Sequence, residues 1–432
     1  MRLNKRDWLK AGGAACLTSS CAPQGTPRAA ADQLFLTTSR GLMAIDPSKG
    51  ERRPPLPAAI PSPDWTRLYA AAVRGERTRL ETLDAKTGAE LAMVEIEGRL
   101  IPRVASRDRA WVALMEAEPG DAGAQRGAVA AWLPVGRART TLVIADPSGK
   151  RAARRLALAG NYAPDAFSSD SRQLFVLEYM PALNSDRYRV RQIDLQTGQP
   201  GPLLTRFKLA PVAAEEEMRG LGRMQVLAPS ASTLYTLYTK QDDHLHTRDY
   251  VAAGGTGSAG PMTHAFVHTL SLNEGWAYCL DLPMPFGVGP SGAHAIATSR
   301  DGTRLFVVDR SSGTLAVADT QVLELKIVQP LEMDATAAPG EAAMEVGPDG
   351  TLYLASGASV LAFARTGVRI ERSPRSRWVL PGTVRGLKLS QDGQRLYAGQ
   401  EARVAILSAA DGRELGRIDV GGVETISHVG WV

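Results

Sequence analysis

A chain of 432 residues, 44% hydrophobic and 22% charged, has the composition of a packed globular protein and excludes a disordered or collagen-like one. The formal net charge is only +5, and Arg2, Lys5, Arg6 and Lys10 against Asp7 place most of that excess at the extreme N-terminus. No Lys/Arg cluster with interleaved aromatics occurs, which excludes a nucleic-acid surface.

Residues 1–21 read as an export signal, 22–31 as a linker, and 32–432 as one folded domain. Lys5-Arg6-Asp7-Trp8-Leu9-Lys10 resembles a twin-arginine signal with lysine in the first basic place. Cys21, after Leu17-Thr18-Ser19-Ser20, is a candidate lipid-anchor cysteine, with Thr18 where an aliphatic residue is usual. Acylation there would hold the protein at the outer face of the cytoplasmic membrane or in the periplasm. Cleavage after Ala29-Ala30-Ala31 would instead release a secreted domain. No other segment approaches the ~20 apolar residues of a spanning helix.

From residue 34 onward one phrase recurs: a strand, a Ser/Asp/Gly turn, an alternating strand. Its clearest copies are Ala297-Thr298-Ser299-Arg300-Asp301-Gly302-Thr303-Arg304-Leu305-Phe306, Val346-Gly347-Pro348-Asp349-Gly350-Thr351-Leu352-Tyr353, and Leu389-Ser390-Gln391-Asp392-Gly393-Gln394-Arg395-Leu396-Tyr397. Weaker copies begin at Ile60, Val104, Phe167 and Leu227. Asp and Ser bond the backbone two residues on, and Gly accepts positive φ. The alternation that follows has strand period. A second hairpin follows most copies, turning at Asp84-Ala85-Lys86-Thr87-Gly88, Asp194-Leu195-Gln196-Thr197-Gly198 or Ala410-Asp411-Gly412. Each unit is therefore four strands, A to D from the axis outward.

A repeat of this length means a propeller or a solenoid. Leu34-Phe35-Leu36-Thr37 has B-strand character without an A strand before it, and Glu424 to Trp431 has A-strand character without a B strand after it. Pairing the two closes a ring and removes the last free edges. The expected fold is an all-β, single β-propeller of four-stranded antiparallel blades, eight in number, or seven if one weak copy is not a full blade.

These residues resemble the YVTN-type bacterial propellers, within the superfamily of lactonase-like and quinoprotein amine dehydrogenase-like propellers, over roughly residues 32–432. The resemblance implies the fold, and its shared residues are turn and strand residues. The turn at Asp84 to Gly88 is similar to that of quinoprotein alcohol dehydrogenase blades, but Ala92 stands near the place of their tryptophan, so quinone binding is not implied.

Strands in a blade run up and down, so B–C loops and D–A connections share one face. Three consecutive central blades carry long B–C segments there: Glu116 to Arg139, Tyr179 to Arg187 and Lys240 to Thr263. The D–A connection Lys208 to Gly220 is long as well. Loops of this length on a rigid scaffold are functional or decorative. As a functional wall, they would present Trp132, Tyr179, His244, His246 and Tyr250 to a ligand beside the channel mouth. Asp242, His244 and His246 place acceptors and imidazoles together and are candidate ligands for a divalent metal. His264 and His268 read as structural residues of a strand. His294 and His428 lie in A strands, facing the channel or packing between blades. Asp165 and Glu341 are the channel carboxylates through which a metal-dependent hydrolysis would run. Cys279, in the outer-strand pattern Trp276 to Leu282, reads as a buried inert thiol.

No Gly-x-Ser-x-Gly, His-Glu-x-x-His, phosphate-loop or c-type haem motif occurs. The sequence thus points to an exported, monomeric binding or scaffold protein that recognises a small ligand or an envelope partner through one face, with no cofactor called for. A metal-dependent enzyme of lactonase, lyase or dehydrogenase type is the alternative.

Overall fold

The computed structural model describes residues 32–117, 136–205, 217–219, 223–241, 264–333, 341–366 and 369–431. Eight sheets form blades I to VIII. Blade I is closed by the two ends of the chain: strand Val423–Trp431 pairs antiparallel with Asp32–Thr38, placing Leu34 opposite Val429 and Phe35 opposite His428. Blades II to VIII then follow in chain order and begin at Ala59, Leu100, Asn161, Arg223, His294, Met344 and Val384.

The A–B turns explain why the phrase recurs. In blade VI the Ser299 hydroxyl donates to Asp301 Oδ1 at 2.6 Å, Thr303 N–H donates to the same oxygen at 3.0 Å, and Arg304 N–H donates to Ser299 Oγ at 3.0 Å. Ser168 and Asp170 repeat the pattern in blade IV. The Ser299 and Ser168 hydroxyls hold the Asp301 and Asp170 carboxyls below the usual carboxylate range. The fourth turn residue is left-handed in every copy. The three clear copies place Gly302, Gly350 and Gly393 there, while the weaker ones place Trp65, Arg109, Ser171 and Ala231 at φ 56°, 60°, 59° and 53°.

Period-2 alternation decides the packing. In blade VI, Phe306, Val308, Leu315 and Val317 pack with blade VII, while Leu305, Val307, Ala316 and Ala318 pack with blade V. The core is accordingly a ring of inter-blade layers, closed where Tyr397 and Val404 of blade VIII meet Leu34 and Leu36 of blade I.

Two details depart from four regular strands per blade. Blade V gains a fifth strand, Leu204–Thr205, which runs parallel to its outermost strand Trp276–Leu282. The outermost strands of blades I and IV shrink to Glu51–Arg52 and Pro200–Gly201. Cys279 lies in the blade V outer strand, its thiol outside any disulfide and 1% exposed. Beside blade III's outer strand, Arg151 lies over the Trp111 ring, 3.8 Å from its centroid. Arg154 donates to Gln196 O of blade IV and Arg155 to Glu97 O of blade II, so these arginines rivet blades together. Among the described residues no helix is long and apolar enough to cross a membrane.

Candidate functional site

The B–C loops and D–A connections do share one face, and the long ones belong to blades III, IV and V. Their described stems are fastened to one another in sequence around the ring. Where the blade III insertion returns, Arg137 N–H donates to Ala182 O at 2.9 Å, in the B–C loop of blade IV, and the Arg137 guanidinium donates to Glu116 O at 2.9 Å. Gly136 permits this approach, because a Cβ there would stand 1.8 Å from Leu183 O. In blade IV, Tyr188 and Met218 exchange backbone hydrogen bonds of 2.9 and 2.7 Å, and Arg187 Nε lies 2.9 Å from Glu217 Oε2. Both contacts tie the blade IV–V connection to blade IV.

Gln241 makes the next tie. Its side chain is fully buried; Oε1 accepts from Arg219 N–H at 2.7 Å and Nε2 donates to Thr239 O at 3.0 Å. Its backbone N–H donates to His264 O at 3.0 Å and closes the base of the blade V insertion. That base is docked in turn on the connection to blade VI: Lys240 N–H donates to Gly287 O at 3.3 Å, the Lys240 ammonium bonds Val288 O, and Thr239 Oγ1 donates to Ser291 Oγ at 2.9 Å. A buried amide with all these partners is a precise joint, since an unpartnered one would cost about 1–3 kcal/mol.

His294 locks the docking connection. Its ring is completely buried; Nδ1–H donates to Pro290 O at 3.1 Å and Nε2 accepts from Gly287 N–H at 3.0 Å. Those roles require the neutral imidazole, and burial accordingly pushes its pKa down, with nearby Asp309 opposing. Asp309 Oδ1 accepts from Ser311 N–H at 2.9 Å and Oδ2 from the Ser312 hydroxyl at 2.8 Å. His294 therefore packs between elements as a hinge pin and does not face the channel.

Beneath the stems runs an aromatic column from blade IV into blade V. Ring centroids of Tyr179 and Tyr188 are 5.7 Å apart, Tyr188 and Tyr238 5.5 Å, and Tyr238 and Phe266 5.3 Å. His268 meets Tyr238 edge-on at 6.4 Å. Tyr179, proposed from the sequence to line a ligand site, is 2% exposed and packs within this column. Trp132, His244, His246, Tyr250, Asp242 and Cys21 lie outside the described residues.

The two carboxylates singled out for hydrolysis, Asp165 and Glu341, belong to different blades, IV and VII. Asp165, in the blade IV strand Asn161–Phe167, accepts from Gln225 Nε2 at 2.9 Å. Glu341 stands at the entry to blade VII, close to Gly292, and burial together with Glu424 raises its carboxyl pKa while Arg385 opposes. Arg385 is itself held by Glu401 Oε2 at 3.1 Å and Val423 O at 3.3 Å. Among the described residues no group of three or more His, Cys, Asp or Glu stands in metal-ligating reach.

Sequence reasoning missed Gln241 and Gly287 as joints of this face. Neither sits in the repeat, so nothing in the pattern marked them.

No family model matches the sequence, and no curated protein matches it. Solved structures do. The dihydro-heme d1 dehydrogenase NirN in complex with DHE superposes with a TM-score of 0.53 at 13% identity, over 93% of this chain and 74% of that one. Apo AztD from Citrobacter koseri superposes with a TM-score of 0.51 at 12% identity, over 93% and 97% of the two chains. At such identities the likeness shows the fold alone: the protein is an eight-bladed all-β propeller.

Proposed function

We propose that this propeller is an exported binding protein that recognises a small ligand or an envelope partner through the insertions of blades III to V. One observation supports it above others: the four insertion stems, from separate parts of the chain, are hydrogen-bonded into one continuous rim. Independent decoration would not need buried joints such as Gln241. A rigid scaffold that holds variable loops side by side is how recognition surfaces are built. The resemblance of the repeat to YVTN-type propellers concerns turn and strand residues and adds no ligand.

Export is supported by Lys5-Arg6 and the segment that follows, and membrane anchoring by Cys21. Cys21→Ser should move the protein from the membrane fraction to the soluble exported fraction; unchanged fractionation would remove the anchor from this reading.

The binding reading is tested by native mass spectrometry of the mature domain from an exporting host, incubated with periplasmic extract. A variant lacking Asp242 to Pro261 is measured beside it. A bound species on the full domain that the variant lacks supports the proposal. The same species on both, or a bare mass for both, overturns it.

The metal-dependent enzyme reading has one observation in its favour. Glu341, at the entry to blade VII, has its carboxyl pKa raised by burial, with Arg385 and a second carboxylate, Glu424, acting on it, the setting of a proton donor. Glu341→Gln abolishing a metal-stimulated hydrolase activity, with its fold intact, would support it.

A further inference from the structure

The opposite face holds a site of its own. A cavity of about 300 Å³ opens among the A–B turns of blades II to V, at the other end of the channel from the insertions. That volume lies at the lower end of small-molecule sites. Its walls are mostly apolar: Ile60, Val104, Phe167, Leu227 and Leu234 with the Trp65 indole. Polar groups are few. Arg103 and Asp165 stand on the wall, and Arg107 is an exposed residue of the blade III turn that makes no ion pair with a described residue.

Trp65 bounds the cavity on the blade II side and packs behind it on the core between blades I and II. It is the bulkiest residue at the left-handed turn position, with φ 56°. A bulky residue there is strained, and such strain persists where the surroundings over-determine it. The surroundings here are His428, whose ring stacks on the indole at 4.6 Å and 6°, and Phe35 at 5.1 Å. The folded chain thus holds an indole against the cavity at a position where glycine would fit without strain.

We infer that this cavity binds a compact, flat, apolar monocarboxylic acid. The ring system lies against Trp65 and the aliphatic wall, and the carboxylate meets the Arg107 guanidinium at the rim. A guanidinium matches a planar carboxylate by paired N–H donors. Arg103 and Asp165 of the wall offset one another in charge, which leaves Arg107 as the one net cation of the lining and suits a monoanion better than a dianion. The site is distinct from the insertion rim and goes beyond the function proposed above.

The test uses 2-naphthoate as probe at pH 7, with neutral 2-naphthylmethanol and cationic 2-naphthylmethylamine beside it, read by calorimetry and ligand-observed NMR. The acid should bind saturably and more tightly than the alcohol, and the amine most weakly. Arg107→Ala, an exposed change that leaves the fold intact, should weaken the acid about tenfold and the alcohol less than about twofold. Trp65→Gly, which relieves the turn, should weaken both. The variant lacking Asp242 to Pro261 should bind the acid as the full domain does. No saturable acid binding, equal acid affinity in Arg107→Ala, or loss of binding in the insertion-lacking variant would each overturn the inference.

Discussion

The Tyr397 hydroxyl donates to Asp32 Oδ2 at 2.6 Å, joining the eighth blade to the first residue of the first strand. Arg395 Nη2 reaches the same oxygen at 2.9 Å, and Asp32 is 2% exposed. Ring closure is thus made by strand pairing and then bolted by a buried, charge-assisted contact. Burial, followed by the Asp32 bond, pushes the Tyr397 hydroxyl pKa far up, so it remains a donor throughout the working pH range.

Removing one partner of that contact should loosen the closure more than removing a surface pair. Tyr397→Phe deletes a hydrogen bond to a charged acceptor and should cost roughly 1.5–3 kcal/mol. Asp32→Ala leaves both the hydroxyl and the Arg395 guanidinium short of a partner and should cost at least as much. Chemical denaturation of each variant gives the numbers. A loss below about 0.5 kcal/mol for both would show that the β-strand pairing alone closes the ring.

The turn position that takes glycine in the clear copies gives a reciprocal pair. Gly302 has φ +71° and a Cβ there would stand 3.3 Å from Pro229 Cδ; Ala231 already carries a Cβ at φ 53°. A left-handed alanine costs about 1–2 kcal/mol in strain, offset by roughly 0.4–1 kcal/mol through the stiffer unfolded chain. Gly302→Ala should therefore lose about 1 kcal/mol, and Ala231→Gly should gain about 0.5 kcal/mol. Opposite signs in thermal denaturation are the expected result; equal signs would refute the strain argument.

Acid should weaken the fold before its carboxylates titrate. Burial pushes the His428 pKa down to about 4 from an ordinary 6.5, with Lys388 pushing the same way. His294 shifts in the same direction. A depressed histidine stays neutral when folded and charges when unfolded. Its stabilising effect is therefore complete above about pH 6.5 and is lost as pH falls toward 4. For His428 the loss by pH 4 is about 3 kcal/mol. His428→Phe keeps a ring against Trp65 and removes the titration. The slope of stability between pH 6.5 and 4.5 should flatten in that variant; an unchanged slope would move the acid sensitivity elsewhere.

The repeat made the propeller legible because its turn is a local device: Ser, Asp and a left-handed residue bond one another within six positions, whatever the rest of the chain does. The closing pair Leu34 and Val429 was legible for a different reason, since each end of the chain offers a strand that has no neighbour of its own. The side of the ring that carries the insertions followed from strand direction alone. What fastens the insertions did not. Gln241 bonds Arg219 and His264 across stretches with no period, and the carboxamide has no sequence mark that separates a buried joint from a solvated loop residue. The packing of Tyr179 was not legible because an aromatic at the end of a strand can either line a surface or support it. Only its contacts with Tyr188 and the ring behind decide. The turn-face cavity was not legible, because Trp65 departs from the repeat glycine no more than Arg109, Ser171 and Ala231 do at the same position.

Gly287 tests whether the rim is one structure. It has φ +83°, and a Cβ there would stand 2.1 Å from His264 O, the atom that closes the base of the blade V insertion, and 2.9 Å from Ala265 Cβ. Backbone cannot give way as a flexible side chain can, so Gly287→Ala must displace either the connection pinned by His294 or the insertion base held by Gln241. The clash touches the inter-blade core only at its margin, through Ala265 and the neighbouring Phe286, so the expected damage is local: a modest fall in melting temperature. Amide exchange should accelerate at Lys240, Gln241 and Ala265, and also at Arg219, which reaches Gln241 from another part of the chain. Acceleration at Arg219 is the decisive reading, because its amide is held by the Gln241 side chain and lies on a different connection from Gly287. Exchange confined to the immediate neighbours of Gly287 would show that the stems are adjacent without being coupled.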